Sequence, residues 1–376
     1  MYKSILPPAQ IGIIGGGQLG RMMALKAKEM GYKIAVLEPT LGAPAAQVAD
    51  VEINRDYTHI PSLTKMLNIS QVVTYEFENI SSNTIQSLES IGNLPQGHRP
   101  LAITQHRLTE KVAINDCGFQ TATFAKVENV EELQTAIKKI GYPSVLKTVI
   151  GGYDGKGQWA LRSEADLENA YEIIKNHTCI LEGFVNFDKE ISVIATRSVN
   201  GDLETFCPIE NIHHHHILHL SIAPARMDQE LAQKAELIAK QLIEKLGFVG
   251  TLAIEMFVIN GDIIINELAP RPHNSGHLTI DACNVSQFEQ HIRAICGLPL
   301  IKPQLKAPAI MVNLLGQHVE YALTKWQQPE FAEAKLHLYG KEEHKVDRKV
   351  GHMTFINADE GELASTVDLF LENFNK

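Results

Sequence analysis

The sequence predicts an α/β and α+β protein whose first domain is built on a parallel sheet. Three observations predict this class. Residues 10–38 form a strand–turn–helix–strand pattern, a second glycine-rich loop follows residue 150, and carboxylates interrupt two apolar strands after residue 250. The 376 residues suit two or three domains at roughly 100–200 residues per domain.

The composition is that of an ordinary globular protein, with 44% hydrophobic and 21% charged residues. The formal net charge of −10, with no long basic run, argues against nucleic acid or an anionic membrane as a partner. We find no stretch near the ~20 apolar residues of a membrane span. The five cysteines are scattered and form no CxxC pair, so we expect a cytoplasmic protein.

The first βαβ unit is the clearest element of the N-terminal domain. Gln10–Gly15 and Lys33–Glu38 are apolar runs, and Gln18–Met30 has the apolar spacing of a helix that stops at Gly31. Val72–Phe77 is a later strand of the same layer. This order predicts a Rossmann-like parallel sheet.

The glycine turn of this unit is ambiguous. Gly15, Gly17 and Gly20 have the GxGxxG spacing, and Glu38 ends the next strand. That context fits a dinucleotide site, with a pyrophosphate on the helix N-terminus and a ribose on the acidic residue. The same loop could bind another phosphate or serve only close packing, so an NAD-binding protein stays open as an alternative.

The second glycine-rich loop, Gly151–Gln158, lies between two apparent strands. Such a loop can turn consecutive N–H groups toward phosphate oxygens, and Lys156 adds positive charge. It lacks the GxxxxGK[ST] spacing of a P-loop. Lys147, inside the preceding strand, needs a negative partner, which is either a nucleotide phosphate or a structural carboxylate.

A carboxylate hairpin follows. Glu255 and Glu267 each lie in an apolar strand, with Asn266 beside the second. Buried carboxylates that face each other repel, and a divalent cation with oxygen ligands removes the repulsion, which predicts Mg²⁺. A plain two-residue turn at Asn260-Gly261 would place Glu267 on the wrong face. The metal hypothesis therefore requires a three-residue loop or a bulge, with positive φ at the glycine.

Arg271 and His273 lie in a proline-stiffened polar segment, residues 269–277, just beyond the hairpin. We expect this segment to hold a small anion beside the terminal phosphate of a nucleotide. Two further sequences are unremarkable alone, namely Glu182–Val185 with the isolated Glu190, and the histidine run 213–216. For His214–His216 the simplest interpretation is a solvated loop.

Taken together, these motifs resemble the ATP-grasp superfamily and, within it, the N5-carboxyaminoimidazole ribonucleotide synthetase family. The resemblance covers essentially the whole chain, and the most specific segments are YEFENI (75–80), PRPHNSGH (270–277) and RKVGH (348–352). Two departures stand out. Leu278 replaces an expected tryptophan, and Lys345-Val346-Asp347 replaces Arg-Pro-Gly, which loses the bidentate fork of arginine.

The resemblance implies three parts: a Rossmann-like pre-ATP-grasp domain (residues 1–100), an ATP-grasp domain (101–300) with a glycine-loop lid (roughly 115–185), and a C-terminal mixed-sheet region (301–376) that packs with the ATP-grasp core. It also implies an ATP site, whose residues are Arg107, Lys147, Gly152, Tyr153, Asp154, Gly155, Lys156, Gly157, Gln158, Glu182, Gly183, Phe184, Val185, Glu190, His213, Asn266 and Glu267.

The remaining implied roles concern metal, bicarbonate and the second substrate. Glu255 and Glu267 would bind Mg²⁺, and Arg271, His273 and Asp154 would be catalytic, the first two toward bicarbonate. The implied substrate-binding residues are Gly17, Gln18, Leu19, Glu76, Tyr153, Lys341, Lys345, Arg348 and Lys349.

The implied reaction is ATP-dependent carboxylation of 5-aminoimidazole ribonucleotide with bicarbonate, in a homodimer. Two alternatives remain at this point: a formate-dependent glycinamide ribonucleotide transformylase and a Rossmann-type NAD-binding protein.

Overall fold

The structure, a computed structural model, describes residues 2–152 and 156–374. Its first part is built from β1 (Gln10–Ile14), α1 (Gln18–Glu29), β2 (Lys33–Leu37), β3 (Val51–Ile53), α2 (Ile60–Ile69), β4 (Val72–Tyr75) and α3 (Ser82–Leu88). The four strands form a parallel sheet in the order β3-β2-β1-β4. The predicted βαβ unit and parallel sheet are confirmed.

Two helices, α4 (Arg99–Thr104) and α5 (Arg107–Asp116), lead out of this sheet. They are separated at residues 105 and 106 and do not form one continuous helix. The break occurs because His106 is extended, with φ −130° and ψ 106°, and its side chain caps α5 by accepting from the Thr109 amide.

A second, antiparallel sheet carries the glycine-rich loop. Its elements are β5 (Phe124–Val127), α6 (Val130–Ile140), β6 (Ser144–Thr148), β7 (Gln158–Leu161), α7 (Leu167–Ile174) and β8 (Cys179–Gly183). The strand order is β5-β8-β6-β7. The apolar faces of α6 and α7 pack with Leu146 and Leu181 of the sheet in one core. β7, which follows the glycine-rich loop, is an edge strand of this layer.

The rest of the chain builds one large antiparallel sheet. Its elements are β9 (Lys189–Arg197), β10 (Leu203–Thr205), β11 (Ile209–His214), β12 (Ile217–Ala223), α8 (Gln229–Leu246), β13 (Gly250–Ile259), β14 (Asp262–Ala269), α9 (Thr279–Ala282), α10 (Gln287–Cys296), β15 (Ala309–Leu315), α11 (Val319–Trp326), β16 (Lys335–Leu338), β17 (Lys349–Ile356) and α12 (Glu360–Leu371). The order is β14-β13-β9-β11-β12-β15-β17-β16, with β10 on β9.

Two helices fix the large sheet to its surroundings. Leu242, Ile243 and Leu246 of α8 pack against β9 and β13, while Phe288 and Ile292 of α10 pack against the helix α1 of the first part. The parallel sheet therefore docks on the large sheet through α10. No helix within the described residues is both long and apolar enough to cross a lipid bilayer.

The C-terminal region contributes β15, β16 and β17 to the large sheet. It also contains α11 and α12, which cover the far end of the sheet. The signal was present in the sequence, because Leu363, Val367 and Phe370 recur at helical spacing and all three are buried in one core.

Candidate active site

The carboxylate hairpin is formed by β13 and β14. Ile259 pairs with Asp262, so the turn has two residues, Asn260 and Gly261, with φ of 49° and 78°. Pairing stays regular up to Met256 and Ile265, where the register shifts and Glu255 pairs with Glu267. The predicted extra residue is confirmed as a bulge, while the three-residue loop is wrong. The bulge brings the two carboxylates opposite each other.

Each carboxylate of this pair has a basic side chain beside it. Oε1 of Glu255 lies 3.1 Å from Nε2 of His273, and Oε2 of Glu267 lies 3.4 Å from a terminal nitrogen of Arg107. Burial alone would raise the pKa of Glu255, but the contact with His273 outweighs it and lowers that pKa. Desolvation and the facing Glu255 raise the pKa of Glu267. Arg107 therefore does not fully compensate the charge of Glu267.

His273 is held in place from both sides. Gln287 accepts a hydrogen bond from the His273 amide at 2.8 Å and donates one to its carbonyl oxygen at 2.7 Å. The ring Nδ1 lies 2.9 Å from the Ser275 hydroxyl, which in turn lies 2.7 Å from the Ser192 hydroxyl. These contacts direct Nε2 of the ring toward Glu255.

Arg271 lies in the same segment, but it already has a carboxylate partner. Its Nε and a terminal nitrogen donate to the two oxygens of Glu78, the second at 2.8 Å. Burial opposes ionisation of Glu78, yet Arg271 lowers the pKa of Glu78 to about 2. Sequence reasoning missed Glu78, although it lies inside the YEFENI segment. The pair joins the parallel sheet to the hairpin.

Lys147 on β6 meets Glu182 at the end of β8, at 2.9 Å, so the two residues predicted for the ATP site are brought together. The sequence interpretation missed a second cation, Lys111 of α5, which lies 3.3 Å from the same carboxylate and is buried. Burial would raise the pKa of Glu182, but both ammonium groups lower it. Lys111 follows Arg107 by four residues, so helical spacing alone places both on one face of α5.

A third buried carboxylate, Glu110, supports the hairpin from α5. It accepts a hydrogen bond from the Leu268 amide at 2.7 Å, and Lys111 donates to the Asn266 carbonyl oxygen at 3.4 Å. Burial and the nearby Glu267 raise the pKa of Glu110 to about 8. The helix that carries Arg107 is thus anchored directly behind the bulge.

Glu190 and His213 also come together, as predicted for one site. They lie on the neighbouring strands β9 and β11, and Nδ1 of His213 is 3.2 Å from the Glu190 carboxylate. Burial alone would lower the pKa of His213, but Glu190 outweighs it and raises that pKa. Gly183–Val185 connects the second sheet to this strand, and Phe184 within it is exposed.

The glycine-rich loop reaches the hairpin through Arg107. The guanidinium donates to the Gly152 carbonyl oxygen at 3.3 Å, and Gln158 pairs with Lys147 across β6 and β7. Gly157 has φ 70°, which a residue with a side chain rarely adopts. The predicted site residues Tyr153, Asp154 and Gly155 lie outside the described residues. Lys156 is exposed at the end of the loop.

Away from the hairpin, a cavity of about 290 Å³ opens beside the parallel sheet. Five of the predicted substrate-binding residues line it: Gly17, Gln18, Glu76, Lys341 and Arg348. Leu19 instead packs in the core below α1, and Lys345 is exposed and pairs with Glu343 at 2.6 Å. Lys349 lies beside the lining, where its carbonyl oxygen accepts from Lys341 at 2.6 Å.

The protein's own carboxylates satisfy the first glycine loop. The Gly16 amide donates to Glu38 at 2.8 Å, and the Gly17 and Gly20 amides donate to Glu76. Glu38 also accepts from the Tyr57 hydroxyl. A pyrophosphate on this helix N-terminus would have to displace Glu76, which counts against a dinucleotide.

The cavity contains two groups that titrate near neutrality. Burial raises the pKa of Glu76 to about 7, partly offset by the two loop amides. Burial and the neighbouring Arg348 lower the pKa of Lys341 to about 8. The cavity thus combines cationic side chains with a carboxylate whose charge depends on its surroundings.

Comparisons with known proteins agree with this geometry. Three family models match in order: a ribonucleotide synthetase preATP-grasp domain (residues 9–105), an ATP-grasp domain (112–288) and a phosphoribosylaminoimidazole carboxylase C-terminal domain (309–366). The N5-carboxyaminoimidazole ribonucleotide synthase of Bacillus subtilis is 51% identical over 365 residues, which cover 96% of this chain and 95% of the relative.

Solved structures are similar over almost the full length. An ADP complex of an N5-carboxyaminoimidazole ribonucleotide synthetase has a TM-score of 0.95 at 54% identity, covering 98% of each chain. An Aspergillus clavatus synthase in complex with ADP and 5-aminoimidazole ribonucleotide has a TM-score of 0.91 at 27% identity, again covering 98% of each chain.

The fold and the site define an ATP-grasp ligase, in which a glycine-loop sheet lies near a carboxylate hairpin. Within that superfamily, the chain belongs to the N5-carboxyaminoimidazole ribonucleotide synthase family. These matches lend no support to the formate-dependent transformylase or to the NAD-binding alternative.

Proposed function

We propose that the protein carboxylates 5-aminoimidazole ribonucleotide to N5-carboxyaminoimidazole ribonucleotide, consuming ATP and bicarbonate and releasing ADP and phosphate in purine biosynthesis. The observation that carries the proposal is that Arg107 and His273 contact the Glu255–Glu267 pair and Lys147, bound to Glu182, acts electrostatically on Glu267, next to a separate cationic cavity. One cleft suits a nucleotide, and the other suits a phosphorylated second substrate.

The ATP site fits the arrangement of the three sheets. One oxygen of Glu182, Oε1, is buried without a hydrogen-bond partner in the described part of the chain, and the adenine amino group is a donor of the type it lacks. Glu190 and His213 face each other where ribose hydroxyls would bind. Lys147 and Arg107 lie toward the glycine-rich loop, where they would offset phosphate charge.

The hairpin fits a divalent cation. Glu255 and Glu267 offer hard oxygen ligands, and burial together with the facing Glu255 raises the pKa of Glu267, a cost that a bound cation would relieve. We assign the Mg²⁺ site to these two residues, with the Asn266 side chain beside them. When bound, Mg²⁺ would neutralise the phosphate oxygens during transfer.

Bicarbonate is a poor electrophile, so the reaction first needs a leaving group. A bicarbonate oxygen attacks the γ-phosphorus of ATP, ADP departs, and carboxyphosphate forms. The exocyclic amine then attacks the carbonyl carbon of carboxyphosphate, or of the CO2 it releases, and phosphate leaves. In the proposal His273, which contacts Glu255, would hold the bicarbonate, and Arg271, already bound to Glu78, would orient it from the side.

The ribonucleotide is assigned to the cavity beside the parallel sheet. Lys341 and Arg348 would bind its phosphate, and Gly17, Gln18 and Glu76 would contact the remainder. The proposal also retains Tyr153, Asp154 and Lys349 as substrate contacts. The glycine loop would keep water from the unstable intermediate when closed.

The proposal extends to organisation and setting. We assign residues 1–100, 101–300 and 301–376 to the three domains, with the lid at roughly 115–185. We also propose a homodimer in the cytoplasm. Sedimentation equilibrium of the purified protein would test the dimer, and a single species at the monomer mass would contradict it.

The decisive experiment measures phosphate release from ATP with bicarbonate and 5-aminoimidazole ribonucleotide omitted in turn, and with formate in place of bicarbonate. Release that requires bicarbonate and is stimulated by the ribonucleotide is the expected result. Release that formate supports and bicarbonate does not would replace the proposal with the transformylase.

A further inference from the structure

A group of imidazoles and one carboxylate lies outside the two clefts. Asp281 of α9, His337 of β16 and His352 of β17 each offer one ligand atom, and these atoms lie within 4.8 Å of one another. His337 and His352 are direct cross-strand partners. We call these three residues the histidine–aspartate cluster. The reaction proposed above uses none of them.

The strongest observation is an unsatisfied nitrogen on His352. The side chain is fully buried, its Nδ1 lies 2.9 Å from the Tyr339 hydroxyl, and its Nε2 has no hydrogen-bond partner among the described residues. A buried polar atom without a partner is costly and calls for an explanation. One nitrogen fixed by a hydrogen bond and the other left free is the arrangement of a metal-ligating histidine.

The other two side chains complete a ligand set that is open on one side. Nε2 of His337 lies 2.8 Å from Oδ2 of Asp281, and these side chains are 31% and 16% exposed. An ion can therefore enter from solvent and meet the buried imidazole at the back. A third histidine, His277, lies behind His352 with ring centroids 5.2 Å apart, and its own Nε2 is also buried without a partner in the described residues.

The chemistry of the cluster favours a metal ion over a bound anion, because the Asp281 carboxylate beside the two imidazoles would repel an anion. Two imidazoles and one carboxylate are the ligands that Zn²⁺ and its chemical relatives prefer, whereas Mg²⁺ prefers oxygen alone.

We propose that Asp281, His337 and His352 form a binding site for a transition-metal ion of the Zn²⁺ class, separate from the nucleotide cleft. His337 stacks on His352 with ring centroids 4.6 Å apart and planes 18° from parallel, so its ring must turn to share an ion in its own plane. It can do so because β16 is the edge strand of the sheet and the side chain is partly exposed. The ion would tie α9 to the β16–β17 pair.

The test uses the full chain, stripped of metal by a chelator, with Co²⁺ and Zn²⁺ as probes and excess Mg²⁺ in every solution. We expect about one tightly bound equivalent of Zn²⁺ per chain by equilibrium dialysis, and visible Co²⁺ bands typical of four-coordinate nitrogen and oxygen ligation. His337→Ala and Asp281→Asn should each weaken binding at least about tenfold, since each removes one of three protein ligands.

The matched control is His219→Ala, because His219 lies in a different cavity lined by several histidines, among them His214, His215 and His318. Binding in this variant should equal that of the parent protein. Thermal melting without metal shows whether each variant is folded, and only the parent and the control should gain stability with Zn²⁺. Binding that survives both His337→Ala and Asp281→Asn, or that His219→Ala removes, would overturn the proposal.

Discussion

Two groups of carboxylates show how the same residue type serves different purposes at two places in the molecule. In the cavity beside the parallel sheet, Glu76 accepts two backbone amides of the glycine loop, and Glu38 accepts a third. In the hairpin, Glu255 and Glu267 face each other, with His273 and Arg107 at their edges. The first group accepts the backbone hydrogen bonds of the glycine loop. The second group carries negative charge that its neighbours do not fully compensate.

This difference separates the glycine loop after β1, whose amides already have carboxylate partners, from the loop after β6, for which we propose a ligand. The glycine loop after β1 has an anion-binding geometry, but the protein supplies the anion itself. The glycine loop after β6 contacts Arg107 through the Gly152 carbonyl oxygen and lies beside Lys147. The GxGxxG spacing therefore identifies an anion-binding turn after β1. It does not tell whether the anion is a ligand or a carboxylate of the protein.

The largest effect should come from the uncompensated pair. Glu267→Gln removes one charge from the proposed cation site while keeping the side-chain shape, so turnover should fall by about 10³-fold or more. Asp262→Asn, at the exposed turn of the same hairpin, should leave turnover near that of the parent protein. Steady-state phosphate release and circular dichroism of all three proteins check this. Parent-like turnover of Glu267→Gln with ordinary Mg²⁺ dependence would refute the cation assignment.

A change at Glu76, which accepts amides of the first glycine loop, should mainly lower the free energy of unfolding. In Glu76→Gln an amide NH2 group meets one of the two loop amides, so the free energy of unfolding should fall by about 1–3 kcal/mol. Glu52→Gln is the matched control, since Glu52 accepts one exposed loop amide, that of Gly42, at 2.9 Å. Its unfolding should be nearly unchanged. Denaturant titration compares the three proteins.

The same variant carries a pH signature. Because burial raises the pKa of Glu76 to about 7, the folded protein binds more protons than the unfolded chain between the ordinary carboxyl pKa and about 7. This group's contribution to stability therefore falls as pH rises through that window. Glu76→Gln should be more destabilising near about pH 5 than near about pH 7.5. An equal effect at both values would contradict the raised pKa.

The next effect is expected at Lys111, which lies behind the proposed nucleotide site. Lys111→Met removes one ammonium group from Glu182 and leaves the contact with Lys147, so unfolding should be easier by about 1–3 kcal/mol and the KM for ATP should rise. Lys126→Met breaks an exposed pair with Glu128, and should cost less than about 1 kcal/mol. If both variants unfold alike, Lys111 has no special place in the site.

The smallest effect concerns backbone protection in the two glycine loops. ADP should slow amide exchange around Gly151 and Gly157, because glycine residues allow many backbone states when no ligand is bound. Exchange at Gly17 and Gly20 should not change, because Glu76 already binds those amides. Hydrogen exchange with and without ADP checks both. Equal protection of the second loop in the two states would argue against phosphate contact there.

The sequence by itself determined much of this protein. Apolar periodicity fixed the βαβ unit and the strands around the second glycine loop, and alternation in β13 and β14 required one extra residue between the two glutamates. Those inferences succeed because side-chain period and turn geometry are local properties of the chain. The bulge at Asn266, rather than a longer turn, met that requirement.

The tertiary structure decided what each charge meets. Arg271 binds Glu78, Lys111 shares Glu182 with Lys147, and Glu76 rather than a ligand occupies the first glycine loop. Each contact joins residues that are distant along the chain, so no local spacing records it. The electrostatic cost of burial depends on which charges come within a few ångströms of each other, and only the packing of the three sheets sets those distances.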